Sequence, residues 1–202
     1  MSLDIRVKQA GYARARRRTA RVCALSARAT RGILKLAGSD FPCALGRGGC
    51  RARKREGDGA TPIGQWQARE VLYRPDRMRR PRTTLPVRAI RGHDGWCDAA
   101  RDRNYNRPVR LPYPASAEAL WRRDGLYDVV VVLGYNDHPR SWGRGSAIFL
   151  HVARPGYAPT EGCIALSRAH LLRLIARLGT RAAIDVLAPG QKKRPKLSLR
   201  AL

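Results

Sequence analysis

Four consecutive valines, Val129 to Val132, followed by Leu133, constrain this chain more than any other feature. An unbroken β-branched run offers water no polar face, so it predicts a strand over Asp128–Tyr135 that is buried on both sides. Such a strand needs a packed layer above it and another below. The chain has 202 residues, 44% of them hydrophobic. That supplies a core for one domain plus an extension, and not for two large domains. Shorter runs at Ala20–Leu25, Gly32–Leu36, Phe41–Leu45, Gln65–Tyr73, Ala147–Val152 and Thr180–Leu187 also read as strands, with a turn at Gly38–Asp40. One clear helix is predicted over Ser167–Leu178, where Leu171, Leu172, Ile175 and Leu178 recur at helical spacing. Ser167 caps its start and Gly179 ends it. A shorter helix fits Ser116–Trp121, with Ser116 as its cap. The expected fold is mainly β, a sandwich of packed sheets with one main helix following Cys163. Residues 1–19 read as a basic arm, 20–188 as the folded domain and 189–202 as a basic disordered tail.

The balance of 41 Lys+Arg against 15 Asp+Glu gives a formal charge of +26. Cations cluster at Arg14–Arg18, Arg51–Arg55, Arg77–Arg82 and Gln191–Lys196. Such a surface suits a polyanion, whether nucleic acid, cell wall or anionic lipid. No helix-turn-helix, paired-cysteine finger or RNA-binding motif accompanies it, so specific nucleic-acid reading is not expected. No apolar stretch is long enough to cross a membrane. Leu25 to Leu36 is broken by Arg28, Arg31 and Lys35, so no secretory signal is visible either. The five cysteines are an odd number, so at least one thiol is free or pairs between chains. His93, Asp94, Cys97 and Asp98 lie close together, but a second ligand cluster is missing. No metal and no cofactor is expected.

The stretch richest in chemistry joins Ile148–His151 to Thr160–Ile164. His151 ends an apolar run, and Cys163 follows twelve residues later, directly after Gly162. Pro155, Gly156 and Pro159 turn the chain back between them, which can set an imidazole beside a thiol. A thiolate is the nucleophile in such a pair, and a neighbouring base raises its population. Alkylation of the thiol is then expected to titrate below the ordinary value of ~8.5. Gly162 allows close approach of backbone to substrate, so its N–H and that of Cys163 form a candidate oxyanion hole. The competing reading is a buried structural thiol beside a core histidine, the role assigned here to Cys23 and Cys43.

These residues resemble the catalytic domain of L,D-transpeptidases, the YkuD-like family, which carries His at a strand end and then Ser/Thr-x-Gly-Cys. Here that is His151, then Thr160-Glu161-Gly162-Cys163-Ile164. Glu56-Gly57-Asp58-Gly59-Ala60-Thr61-Pro62-Ile63-Gly64 is similar to the family's Glu-Gly-Asp-x-x-Thr-Pro-x-Gly segment. Val132–Asn136 and Gly145–His151 supply a third match. The resemblance implies a mainly-β catalytic domain over 20–188 with Cys163 in a cleft. It implies that Cys163 attacks a peptidoglycan stem peptide at meso-diaminopimelate and expels the terminal D-alanine. The acyl group then passes to an amine of a second stem or of a protein, with His151 moving the protons. A periplasmic or cell-envelope location is implied as well. Tyr135, Asn136, Arg154, Thr160, Glu161 and Arg168 are the candidates for substrate contact. Two positions depart from the pattern. Glu161 stands where the family often has His, and its charge beside a thiol would raise the thiol's pKa. Ala165 stands where the family often has Arg, and Arg154 and Arg168 are the candidates to replace it. Two rivals remain: a hydrolase of the same fold (carboxypeptidase or amidase), and a basic nucleic-acid or polyanion-binding module in which Cys163 is structural.

Overall fold

A computed structural model describes residues 18–191. Three strands open it as an antiparallel meander: β1 (Thr19–Ala24), β2 (Arg31–Leu36) and β3 (Ser39–Ala44). Leu36 pairs with Ser39, so the β2–β3 turn is Ala37–Gly38, both at positive φ. A two-residue hairpin whose twist matches its strands requires that conformation. Two short parallel strands follow, β4 (Cys50–Arg51) and β5 (Thr61–Pro62), and then the long β6 (Gly64–Tyr73) and β7 (Val87–Ala89). Next come β8 (Asp94–Cys97), β9 (Pro108–Arg110) and β10 (Ala117–Ala119), which form a separate sheet in the order β10-β8-β9. The last described elements are β11 (Val129–Leu133), β12 (Phe149–Val152), β13 (Ile164–Leu166), helix α1 (Arg168–Ile175) and β14 (Ala183–Val186).

The main sheet closes on itself. Its order is β11-β12-β13-β3-β2-β1-β14-β6-β7, and β6 also pairs with β11. Strand β6 is long enough for this: β14 occupies Gly64–Gln67, β7 occupies Val71–Tyr73, and β11 runs along Ala68–Tyr73. A register shift at Val132/Leu133 marks a bulge opposite Arg69, the kind of irregularity that lets a sheet bend towards closure. Hydrogen bonding is therefore continuous around eight strands, with β7 attached outside the ring.

The expectation for the valine run holds. Val129, Val131 and Leu133 pack into the main core, while Val130 and Val132 face a second core with Leu72, Ile90, Trp96, Leu120 and Phe149. Fully burying each such side chain is worth roughly 1.5–3 kcal/mol. The mainly-β class with one helix after Cys163 also holds. Helix α1 is shorter than predicted. Ser167 caps it by accepting from the His170 N–H at 3.3 Å, and its buried face is Leu171, Leu174 and Ile175. The helix expected at Ser116–Trp121 is instead strand β10, in which Glu118 stands opposite Trp96 of β8. Ala, Glu and Leu favour a helix there, but pairing to a distant strand overrides local preference. Most of the expected arm and tail, residues 1–17 and 192–202, lies outside the described residues, and Thr19 already belongs to β1. Among the described residues no helix is long and apolar enough to cross a membrane.

Candidate active site

Parallel pairing of β12 with β13 brings the two predicted chemical residues together. His151 stands opposite Ala165, and Cys163 immediately precedes β13. Both line one cleft of about 260 Å³, with Thr160, Glu161, Arg154, Glu56, Asp98, Glu118, Arg122 and Tyr127 among its walls. Cys163 is 8% exposed, and its thiol is held by two hydrogen bonds. It donates to Ala147 O at 3.1 Å and accepts from the Phe149 N–H at 3.3 Å. Ala147 is held in turn: its N–H donates to Asn106 Oδ1 at 3.1 Å, an oxygen that also accepts from Trp96 Nε1 at 3.0 Å. His151 Nδ1 lies 2.9 Å from Val152 O. A carbonyl only accepts, so Nδ1 carries the proton and Nε2 keeps its lone pair. The Tyr127 ring meets the imidazole edge-on, at 5.4 Å between centroids.

The turn before Cys163 is braced from beneath. Thr160 Oγ1 donates to Cys163 O at 2.6 Å and accepts from the Gly162 N–H at 3.2 Å. Thr61 Oγ1, of the Thr-Pro pair, reaches the same carbonyl at 3.5 Å and accepts from the Gly46 N–H. Gly162 sits at φ +130°, and a Cβ there would lie 2.8 Å from Ala60 O. Only glycine fits both the dihedral and the approach. The Glu56–Gly64 segment is thus mainly a brace for the turn that carries Cys163. The Gly162 N–H, expected in an oxyanion hole, is spent on Thr160.

Burial dominates the electrostatics. It pushes the Cys163 thiol up to about 12, with the Glu118 carboxylate adding to the effect and the Phe149 N–H and Lys54 opposing it. Burial also pulls His151 down to about 4, against the bond to Val152 O, and Arg154 and Arg122 add to the fall. The resting pair at neutral pH is therefore thiol and neutral imidazole. The expectation of a thiol titrating below ~8.5 is corrected accordingly. Glu161 is not the anion responsible: its carboxylate is 75% exposed and pairs with Arg47 at 2.7 Å.

Three candidates lie elsewhere. Tyr135 donates its hydroxyl to Arg144 O, and Asn136 bonds Ser141 and Gly145 across the loop that follows β11. Both line a second groove of about 310 Å³. Arg168 bonds Asp128 and Arg77 O at the start of α1. Glu118, Tyr127 and Arg122 were not anticipated, because only the β8–β10 pairing carries Glu118 to the cleft. Glu56 lay within a recognised segment. It accepts from Ser146 Oγ at 2.9 Å and from the Tyr105 hydroxyl. Asp94 pairs with Arg88, and among the described residues no three His, Cys, Asp or Glu gather as a metal site.

Residues 34–186 match the model of the L,D-transpeptidase catalytic domain family, YkuD. The chain belongs to that family. Among solved structures, L,D-transpeptidase 1 from Mycobacterium tuberculosis is similar at 15% identity, over 85% of this chain and 63% of that one, with a TM-score of 0.36. This chain therefore spans less than two thirds of that structure's length. Comparison with curated proteins found no relative. Within this YkuD domain Ala165, where the family often has Arg, is buried opposite Ala44. Arg154 is the candidate replacement that reaches the cleft wall.

Proposed function

We propose that this YkuD domain is a cysteine acyltransferase that takes a peptidoglycan stem peptide as donor and an amine as acceptor, at the cell envelope. The observation that carries the reading is the shared cleft: Cys163 and His151 both line it, and the Nδ1 bond to Val152 O leaves Nε2 free to take a proton. The thiol proton rests on Ala147 O, so it moves to Nε2 as the sulfur attacks. The Sγ–carbon bond forms, the amide bond to the terminal residue breaks, and the leaving amine takes the proton from Nε2. The acceptor amine then attacks the thioester and gives its proton to Nε2. The sulfur leaves and is reprotonated. With the Gly162 N–H engaged, the Cys163 N–H is the backbone donor assigned to the developing oxyanion.

The charge of the cleft supports an amine-bearing substrate. Glu56, Asp98, Glu118 and Glu161 line it against Arg122 and Arg154, in a chain where cations outnumber anions 41 to 15. Carboxylates are concentrated where the overall composition would place arginines, and they favour an ammonium group. The test is mass spectrometry of the full chain with purified stem tetrapeptide, with and without an added amine. The expected result is D-alanine release, a thioester on Cys163 and a cross-linked product when the amine is present. Hydrolysed peptide alone, with the amine present, means that water is the acceptor. Neither adduct nor release overturns the reading.

A further inference from the structure

The side chain of Lys54 is almost fully buried, at 2% exposed, whereas the other cations among the described residues mostly face water. A buried ammonium is costly unless its hydrogen bonds are met, and these are met locally. Nζ lies 2.8 Å from Asp58 Oδ1 and 3.3 Å from Arg55 O. Asp58 also accepts from the Arg55 and Ala60 N–H groups, so the pair closes the loop that leads to Thr61. Above that loop sit two glycines. A Cβ on Gly145 would lie 2.7 Å from Lys54 Cε, and one on Gly162 would lie 3.4 Å from Nζ. The ammonium is thus wedged between the loop that carries Ala147, the thiol's acceptor, and the turn that carries Cys163.

We propose that Lys54 is a positioning residue for the nucleophile: its buried ammonium fixes the turn beneath Gly162 and sets a positive charge directly behind Cys163. The groups around that sulfur are of mixed sign. Glu118 of β10 opposes the thiolate, Tyr127 before β11 is neutral and donates to Glu118, and Glu56 and Asp98 add negative charge to the cleft wall. His151 of β12 is neutral at rest, Arg122 and Arg154 lie on the wall, and Glu161 is tied to Arg47. Lys54 lies behind the turn, with Nζ beside Gly162, and its positive charge pulls the thiol down against burial and Glu118. The nearness of both glycines explains why this position holds a flexible side chain with a compact charged end. The proposal rests on Cys163 being the nucleophile.

The experiment is the rate of Cys163 alkylation by iodoacetamide against pH, in the full chain, with peptide mapping to Cys163 and circular dichroism of each variant. Lys54→Met is expected to slow alkylation at pH 9 about tenfold, as a one-unit rise of the thiol's midpoint does. Lys54→Arg is expected to keep most of the parent rate. Asp58→Asn keeps an acceptor oxygen and leaves the ammonium without its counter-charge, so it should move the midpoint down. Opposite movements in Lys54→Met and Asp58→Asn identify a charge effect, and this pair of signs remains readable if one variant is partly unstable. Slowing in both, or no change in Lys54→Met, overturns the proposal. If Cys163→Ala keeps full turnover, the nucleophile reading itself has failed, and that outcome is independent of the Lys54 profiles.

Discussion

The two cores of this molecule meet along β11 and β12 and are built on different terms. The one enclosed by the ring is formed by alternating side chains from every strand of the ring: Val22, Leu34, Phe41, Leu150, Leu166 and Ile184 lie at 1% exposure or less. The one outside the ring is smaller, and strands of three or four residues cover it. Polar groups run through this layer: Asn106 holds Ala147, Tyr127 donates to Glu118 at 2.7 Å, and Cys163 itself is a member. Neighbours on β12 divide between them, with Leu150 facing in and Phe149 facing out. Regular alternation supplies stability, whereas the irregular layer supplies a cleft whose walls are held by specific hydrogen bonds.

Cys163→Ala should break the outer layer's chemistry and leave the ring intact. Turnover and the covalent adduct disappear, while the thermal transition stays within a few degrees. Changing Cys43, in the main core, should leave turnover within about tenfold, under ~1.4 kcal/mol of barrier. An equal loss of turnover at Cys43 or Cys97 would remove the distinction. The next largest effects separate the cores on one strand. Leu150→Ala should cost about 2–5 kcal/mol in urea unfolding, as a cavity in a packed interior does. Phe149→Leu should cost less, under ~1.5 kcal/mol, because its volume change is smaller. It should nonetheless reduce turnover more, since the ring packs on Trp96 and on Tyr127 of the cleft wall. Parallel changes in stability and turnover for both variants would show that the cores act as one.

A third test uses acid. His151 is buried and neutral, held down to about 4, while an unfolded imidazole titrates near 6.5. Between those values the unfolded chain binds more protons than the folded one. The stability contributed by the neutral histidine is therefore fully present above pH 6.5 and is lost as pH falls towards 4. The loss amounts to up to about 3 kcal/mol. Urea midpoints at pH 7, 5.5 and 4.5 should fall in that order, and His151→Gln should flatten this limb. An unchanged limb in His151→Gln would assign the acid sensitivity elsewhere. The smallest effect is expected at Glu161, whose carboxylate reaches solvent and Arg47. Glu161→Gln should change the pH profile of Cys163 alkylation by less than about twofold, within the range of exposed ion pairs. A clear downward shift of the midpoint would put its charge back at the sulfur.

Legibility from sequence follows the same division. Strands of the ring are visible as apolar runs because each is buried by local alternation or continuity, and Val129–Leu133 is the clearest case. Closure of the sheet was not visible, since it depends on β6 serving several partners along its length. In the cleft, the approach of Cys163 to His151 was legible from the strand end and the turn residues between them, and Gly162 from the turn it makes. Glu118 was not, because residues 117–120 favour a helix by composition and only the partner strand β8 makes them extended. Tyr135 and Asn136 sat in a recognised segment, yet their hydrogen bonds are spent on shaping their own loop.

Parallel strands cannot be joined by a tight hairpin, so β12 and β13 require a crossover, and here residues 153–163 make it. The ladder, with Leu150 opposite Ile164 and His151 opposite Ala165, fixes where the histidine sits relative to Cys163. The crossover itself supplies Arg154, Ala158, Pro159, Thr160 and Glu161 to the wall of the cleft. Its outer part, Arg154 to Pro159, can therefore change in length or composition without altering the Cys–His register. Editing one surface loop can reshape the wall of this cleft while the strand register keeps Cys163 and His151 where they are.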